Sequence, residues 1–126
     1  TVIIGTPQGR QNGEPRGSAK VLLKREKEPW QQLGQTLYGL PDDDGGLFGK
    51  SVSISDDGWV LCIGSSTEGV LDTGKVYIYM WSSALRVWDY KGKIIPDDNM
   101  NFSAFGSSID VVQGYSLEYD YFIAIG

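Results

Sequence analysis

Short apolar runs bounded by glycine, proline and aspartate recur along the chain and predict strands rather than helices. The segment GKSVSIS at residues 49–55 alternates small or polar with apolar side chains, which is typical of a strand whose two faces differ. The segments at 75–81 (KVYIYMW) and 84–90 (ALRVWDY) are rich in the β-branched and aromatic residues that strands favour. Glycine or proline interrupts every candidate helix, so the pattern predicts an all-β fold.

The pair Asp57-Gly58 predicts a hairpin between two of these strands. It separates SVSIS (51–55) from the apolar run at 59–64, WVLCIG. A two-residue type I′ turn needs a positive φ at both central positions, and an Asp-Gly pair suits that geometry. We therefore expect a tight antiparallel pair that turns at Asp57 and Gly58.

Several short motifs recur in the same order, which indicates an internal repeat. Copies of a motif lie 55 to 62 residues apart, with insertions where loops are expected. The motifs are a strand ending in Ile-Gly, a glycine followed by a strand, a tryptophan with a glycine four residues on, a Pro-Asp-Asp loop and a Phe-Gly pair. The strand ending in Ile-Gly occupies residues 2–5, 60–64 and 122–126, and the glycine followed by a strand occupies 17–23 and 74–79. The tryptophan motif occupies 30–34 and 88–92, the Pro-Asp-Asp loop 41–43 and 96–98, and the Phe-Gly pair 48–49 and 105–106.

Each repeat is predicted to hold four antiparallel strands, A to D, in about 55 residues, as a β-propeller blade does. Assigned in this way, the chain runs B, C, D, then A, B, C, D, then A and B. We therefore expect one domain, residues 1–126, made of about two antiparallel four-stranded propeller blades plus one strand. Its parts are a partial blade at 1–46, a complete blade at 47–101 and a partial blade at 102–126.

A chain with these strands would leave the ring incomplete, since closed propellers have roughly four to eight blades. We expect the rest of a larger propeller or self-association to complete it, because unpaired strand edges invite pairing. Two copies of strand B would compete for one place in a symmetric ring. That conflict favours a fragment or an irregular assembly over a closed trimer. The chain also opens on Thr1 without methionine, as a processed or excised piece would.

Two propeller families share dipeptides with the chain. Trp88-Asp89 supplies the dipeptide of WD repeats, but those repeats also need a Gly-His pair, and there is no histidine here. Over essentially its whole length the chain more closely resembles FG-GAP repeats, the blades of the integrin alpha-subunit propeller and of many bacterial and algal surface proteins. Phe48-Gly49 and Phe105-Gly106 match the Phe-Gly that opens strand A. Residues 5–7 (Gly-Thr-Pro) match the Gly-Ala-Pro that closes strand B, and residues 64–66 match it loosely.

The resemblance implies that each Phe wedges between blades while its Gly lets neighbouring backbone approach closely. Many FG-GAP repeats also carry a calcium loop, D-x-D-x-D-G-x-x-D, between strands A and B, whose oxygens surround the cation. Here residues 55–58 are too short for such a loop. We expect no metal site and no cofactor, because in the last repeat Gln113, Tyr115 and Leu117 occupy the early ligand positions and Glu118 and Asp120 have the wrong spacing.

Other candidate residues have an ordinary structural interpretation. The acidic loops at 42–44 and 97–98 follow prolines and are expected to be solvated turns. Cys62 is the only cysteine, lies in an apolar run and is expected to be a buried small hydrophobe. Trp30 and Trp88 are expected to cover blade faces, and the other aromatic residues to form the core between blades.

The charge and the composition of the chain limit the classes of partner that it is expected to bind. The net charge of −5 argues against a nucleic-acid partner, which would need a basic stripe, and the basic cluster at 24–27 is expected to be a solvated strand end. No apolar run approaches the ~20 residues that span a bilayer, so no membrane span is expected. The sequon that begins at Asn101 would accept a glycan in a eukaryotic secretory protein.

The function expected from these observations is a non-catalytic propeller module for adhesion or for recognition of a protein or glycan ligand. The resemblance alone implies a location outside the cell or on its surface. A self-assembling structural unit and a lectin-like sugar binder are the alternatives, and a hydrolase or lyase is a remote one. Without histidine no Ser-His-Asp triad can form, and the acids cluster in turns. No catalytic or ligand-binding residue can be named from the sequence.

Overall fold

The computed structural model describes residues 1–40, 47–66, 74–96, 104–114 and 120–126. All regular structure in these ranges is β-strand, so the predicted all-β fold is confirmed. The strands are β1 (Val2–Thr6), β2 (Arg10–Gln11), β3 (Glu14–Pro15), β4 (Ser18–Leu23), β5 (Gln31–Gln32), β6 (Leu37–Tyr38), β7 (Phe48–Ile54), β8 (Val60–Ser65), β9 (Lys75–Ser82), β10 (Val87–Ile94), β11 (Ile109–Gln113) and β12 (Tyr121–Ile125).

Strands β7 to β10 form a four-stranded antiparallel meander, the central sheet, in the order β10-β9-β8-β7. Cys62 of β8 lies opposite Ser53 of β7 on one side and Ile78 of β9 on the other. The pairing of β9 with β10 shifts register between Tyr90 and Gly92. Strand β8 is buried along its whole length because it is an inner strand and other sheets cover both of its faces.

The first sheet is built around β4, which pairs with β1 along one edge and with β5 and β6 at two separate points on the other. The pairing along that edge of β4 is therefore interrupted between β5 and β6. Trp30 precedes β5 and follows Pro29, outside the paired residues, and its side chain is 52% exposed. Trp30 therefore lies at an exposed position beside the strand pairing, and its coverage of a sheet face stays a prediction. The third sheet is the antiparallel pair β11 and β12, from Ile109 opposite Ile125 to Gln113 opposite Tyr121.

The hairpin between β7 and β8 forms where it was predicted, but its geometry differs. Gly58 has a positive φ of 75°, and Asp57 does not. The Gly58 amide donates to the Ser55 carbonyl at 2.8 Å, and the Ser55 amide donates to the Val60 carbonyl at 2.9 Å. The loop thus has four residues, 56–59, and the predicted type I′ turn is wrong.

Positive φ at both central positions, the feature expected of a type I′ turn, occurs instead at Asn12 (52°) and Gly13 (88°). This pair joins β2 to β3 in a short hairpin between β1 and β4. This hairpin was not predicted, although Asn-Gly is the strongest short-range signal for one. Its strands have two residues each, too few to show an alternating pattern.

The core lies in two layers on opposite faces of the central sheet. Because successive side chains of a strand point to opposite faces, Leu61 and Ile63 of β8 pack toward the first sheet, and Val60 and Cys62 pack toward the third. The first layer contains Ala19, Val21, Leu37, Phe48, Leu61, Ile63, Tyr77, Tyr79 and Trp88, and the second contains Val60, Cys62, Val76 and Val111.

The same backbone contacts occur on both sides of the central sheet. A Cβ on Gly5 would overlap the Gly49 carbonyl oxygen, and a Cβ on Gly64 would overlap the Gly106 carbonyl oxygen. Neighbouring backbones can approach this closely only where no side chain intervenes. The glycines that precede β4 and β9 repeat the pattern against the backbone of the next phenylalanine, as Gly17 against Phe48 and Gly74 against Phe105.

Candidate functional site

The β7–β8 hairpin is held by a carboxylate rather than by its turn type alone. Asp57 Oδ1 accepts hydrogen bonds from the Ser55 hydroxyl at 2.6 Å and from the Trp59 amide at 3.1 Å. The Ser55 hydroxyl oxygen in turn accepts from the Val60 amide at 3.0 Å. Aspartate and serine commonly satisfy turn amides in this way. The network orients the backbone that carries Trp59.

Asp57 also joins the central sheet to the third sheet. The Tyr121 hydroxyl at the start of β12 donates to Asp57 Oδ2 at 2.8 Å, across 64 positions of the chain. Partial burial by itself raises the pKa of Asp57, but the hydrogen bonds from Ser55, Tyr121 and the Trp59 amide outweigh burial and hold that pKa below its ordinary value. The carboxylate is therefore charged at neutral pH.

A pocket of about 270 Å³, the aromatic pocket, lies beside this carboxylate and is lined by Trp59, Met80, Trp81 and Tyr121. Its walls come from the start of β8, the end of β9 and the start of β12. The Trp59 side chain is 44% exposed, so a ligand can reach it. The Trp59 indole, the Tyr121 phenol and the Met80 thioether give the pocket a surface that is mainly apolar and rich in π electrons. The Trp81 indole packs on Trp88 in the first core layer.

A second pocket of about 340 Å³, the basic pocket, shares Trp81 with the aromatic pocket. It is formed between the end of β4 and the β9–β10 turn, where Arg86 has a positive φ of 56°. Trp81 itself rests on Trp88, with ring centroids 5.1 Å apart and a tilt of 57°. The lining consists of Leu23, Arg25, Leu33, Trp81, Ser83 and Arg86.

Two predictions about individual core residues are confirmed. Cys62 is fully buried, and burial raises the pKa of its thiol to about 11, so it is an inert apolar side chain rather than a nucleophile. Trp88 is 2% exposed and donates its indole N–H to the Leu33 carbonyl at 2.9 Å. Asp89 beside it forms a surface ion pair with Lys91 at 2.6 Å.

Several other predicted residues lie outside the described ranges. They are the acidic loops at 42–44 and 97–98, the sequon at Asn101, and Tyr115, Leu117 and Glu118 of the last repeat. Asp120 is described and exposed. Among the described residues, no three histidine, cysteine, aspartate or glutamate side chains come together as a metal site would require. The same ranges contain no helix with the length and apolarity needed to cross a bilayer.

Comparisons with known proteins do not assign the chain to a group. It matches no protein-family model and no curated protein. The geometry of the described residues is therefore what any functional statement must rest on.

Sequence reasoning missed the aromatic pocket because it assigned the aromatic side chains to the core. For Tyr77 and Tyr79 in the middle of β9 that assignment is right. Trp59 lies directly before β8 and is 44% exposed, and Trp81 lies near the end of β9, partly buried against the first core layer. A position next to a turn was the only signal in the sequence that could have distinguished the pocket residues Trp59 and Trp81 from the core residues Tyr77 and Tyr79.

Proposed function

We propose that the chain is a segment of a β-propeller of the FG-GAP type that acts as a non-catalytic recognition module outside the cell or on its surface. One observation carries the architecture. Gly5 approaches Gly49 between the first and central sheets in the same way as Gly64 approaches Gly106 between the central and third sheets. Successive sheets joined by repeated contacts are the arrangement of propeller blades and of other repeat proteins.

The outer faces of the stack support the same architecture. Val2 and Ile4 of β1 are 41% and 49% exposed, whereas Leu61 and Ile63, their counterparts in β8, are fully buried. At the other end Phe122 of β12 is 65% exposed, although the corresponding position of β8 is buried. The face of the first sheet and the face of the third sheet that point away from the central sheet therefore carry apolar side chains, as the buried faces do. A further sheet of the same kind fits each of them.

Recognition is supported by the position of the two pockets. Both lie at the edge of the stack where β7 turns into β8 and β9 turns into β10, and both include Trp81. Concave sites with apolar, aromatic walls and a few charged groups at the margin are typical of ligand binding. This edge, with its aromatic pocket and its basic pocket, is the surface to which we assign recognition.

The architecture can be tested by light scattering over a range of concentrations. We expect the isolated chain to associate through its outer faces, and both Ile4→Glu and Phe122→Glu to reduce that association. Leu85→Glu is the matched control, because Leu85 is 74% exposed in the β9–β10 turn, away from both faces. Mixing the two face variants should restore a dimer through the intact face of each. A monomer at every concentration, unaffected by either substitution, would contradict this architecture.

The recognition function can be tested on arrays of glycans and of extracellular proteins, alongside a panel of glycosidase and lyase substrates. We expect binding that Trp59→Leu abolishes and Trp30→Leu leaves unchanged, with no turnover of any substrate. Trp30 is the matched control because it is exposed but lies outside both pockets. Turnover, or binding that does not depend on Trp59, would count against the proposal.

A further inference from the structure

We propose that the aromatic pocket binds a quaternary ammonium group, in which Trp59, Met80 and Tyr121 contact the methylated cation and Asp57 supplies the compensating charge. The inference deepens the proposed function, since it names the ligand class for the same recognition edge. It concerns the chemistry shared by choline compounds and by trimethylated lysine side chains.

The pocket walls favour such a cation. The faces of Trp and Tyr rings carry negative electrostatic potential, and cations with methyl groups bind against several such faces at once. Met80 adds a soft, polarizable surface that suits N-methyl groups. A volume of about 270 Å³ is sufficient for a trimethylammonium group and part of its attached chain.

The Asp57–Tyr121 hydrogen bond strengthens this preference. The Tyr121 hydroxyl donates its proton toward an anionic carboxylate at 2.8 Å, which increases the electron density of the phenol ring. Tyr121 is a wall of the pocket, so the charge of Asp57 reaches the ligand through that ring as well as through space. Arg25 and Arg86 line the basic pocket and are not among the described residues that line the aromatic pocket.

A sugar is the main competing ligand, and the pocket suits it less well. A pyranose ring presents hydroxyl groups all round its edge, and each loses hydrogen bonds to water on binding unless the protein replaces them. Among the described residues, the lining side chains offer only indole N–H groups and one phenol, and that phenol already donates to Asp57. A quaternary ammonium has no N–H donor and needs no such partners, so the pocket can desolvate it without leaving an unpaired group.

The test is an NMR titration of the whole chain that follows the tryptophan indole N–H signals. The probes are choline and its neutral isostere, 3,3-dimethylbutan-1-ol. We expect choline to bind about 3- to 30-fold more tightly, the ratio that a cation–π contribution corresponds to. Equal affinity of the two probes would overturn the proposal, because the site would then recognise only apolar shape.

Substitutions identify the residues that bind choline and separate the contribution of the Asp57 charge from that of apolar contacts. Trp59→Leu should remove choline binding, Trp59→Phe should restore part of it, and Trp30→Leu should leave it unchanged. Asp57→Asn should weaken binding of choline and leave binding of the neutral isostere unaltered. Dispersed NMR signals establish that each variant is folded. Binding of methyl glycosides in place of choline, with the same dependence on Trp59, would overturn the ammonium assignment.

Two further probes identify the source of the group. A trimethyllysine peptide and phosphatidylcholine vesicles present the same cation on different carriers. The probe that binds more tightly identifies the class of natural partner. Failure with choline, combined with array binding that depends on Trp59, would remove this inference and leave the proposed recognition function standing. Choline binding with silent arrays would support the ammonium assignment and would count only against glycan and protein ligands.

Discussion

The side chain of Gln35 pairs with the backbone of Trp88 as a neighbouring strand would. Gln35 Nε2 donates to the Trp88 carbonyl at 2.7 Å, and the Trp88 amide donates to Gln35 Oε1 at 2.9 Å. Trp88 belongs to β10, the outer strand of the central sheet. Gln35 thus satisfies part of an open strand edge and fastens the first sheet to it.

Replacing Gln35 should therefore loosen the contact between the two sheets. In Gln35→Ala the Trp88 amide and carbonyl lose their partner at a partly buried position, and we expect about 1–3 kcal/mol of destabilisation. The measurement is the free energy of unfolding in urea. Gln31→Ala is the matched control: Gln31 is exposed, its side chain donates to a nearby glutamate side chain at 3.4 Å, and its replacement should change stability little. Equal effects of the two substitutions would contradict a role for the Gln35 pairing.

The repeated glycine contacts predict that Gly64 cannot carry a side chain. In Gly64→Ala the new Cβ would overlap the Gly106 carbonyl oxygen and the Ser51 hydroxyl, so the sheets must separate locally. We expect a loss of about 2–3 kcal/mol in the free energy of unfolding. Gly13→Ala has open space around its Cβ and should cost only the strain of its positive φ, about 1 kcal/mol. A smaller loss for Gly64→Ala than for Gly13→Ala would show that the contact between Gly64 and Gly106 does not prevent a side chain at position 64.

The Asp57 network makes stability depend on pH in acid. Because its hydrogen bonds lower the pKa of Asp57 in the folded state, the carboxylate contributes stability above its unfolded-state pKa of about 4. That contribution is lost as the pH falls through the lower folded-state pKa. We expect the free energy of unfolding of Asp57→Asn to be lower than that of the parent chain at pH 7. We expect this difference between the two proteins to become smaller below pH 4. Asp56→Asn, at the exposed neighbouring position, serves as the control in the same unfolding titration, and a gap independent of pH would contradict the prediction.

The Cys62 thiol should be nearly unreactive in the native chain. Burial raises its pKa from 9.0 to about 11, which alone lowers the thiolate fraction about a hundredfold near neutral pH. We expect alkylation by iodoacetamide at pH 8 to be at least about 100-fold slower in buffer than in denaturing urea. The rate is measured by mass spectrometry of the labelled chain, with a free cysteine in the same two solvents as the control. Rapid labelling without urea would mean that the β8 layer opens readily.

Local pattern was sufficient to predict much of the fold. Residues 49–55 and 75–81 were expected to be strands, and β7 and β9 are where those segments lie. The reason is physical: alternation with a period of two and a nearby turn residue act over a few positions and reflect which face is covered. The hairpin at Asp57-Gly58 was placed correctly on the same basis. Its turn type was not, because the Ser55 and Asp57 side chains stabilise a longer loop.

The aromatic pocket and the contacts between sheets were decided by tertiary structure. Asp57 and Tyr121 lie 64 positions apart, and only the stacking of the third sheet on the central one brings them together. The sequence determined the all-β character of the chain and the buried character of Cys62, because each depends on near neighbours or on the polarity of one short run. Which tryptophan is buried, as Trp88 is, and which lines a pocket, as Trp59 does, depends on what covers each strand end. That depends on packing between distant segments, which no local pattern encodes.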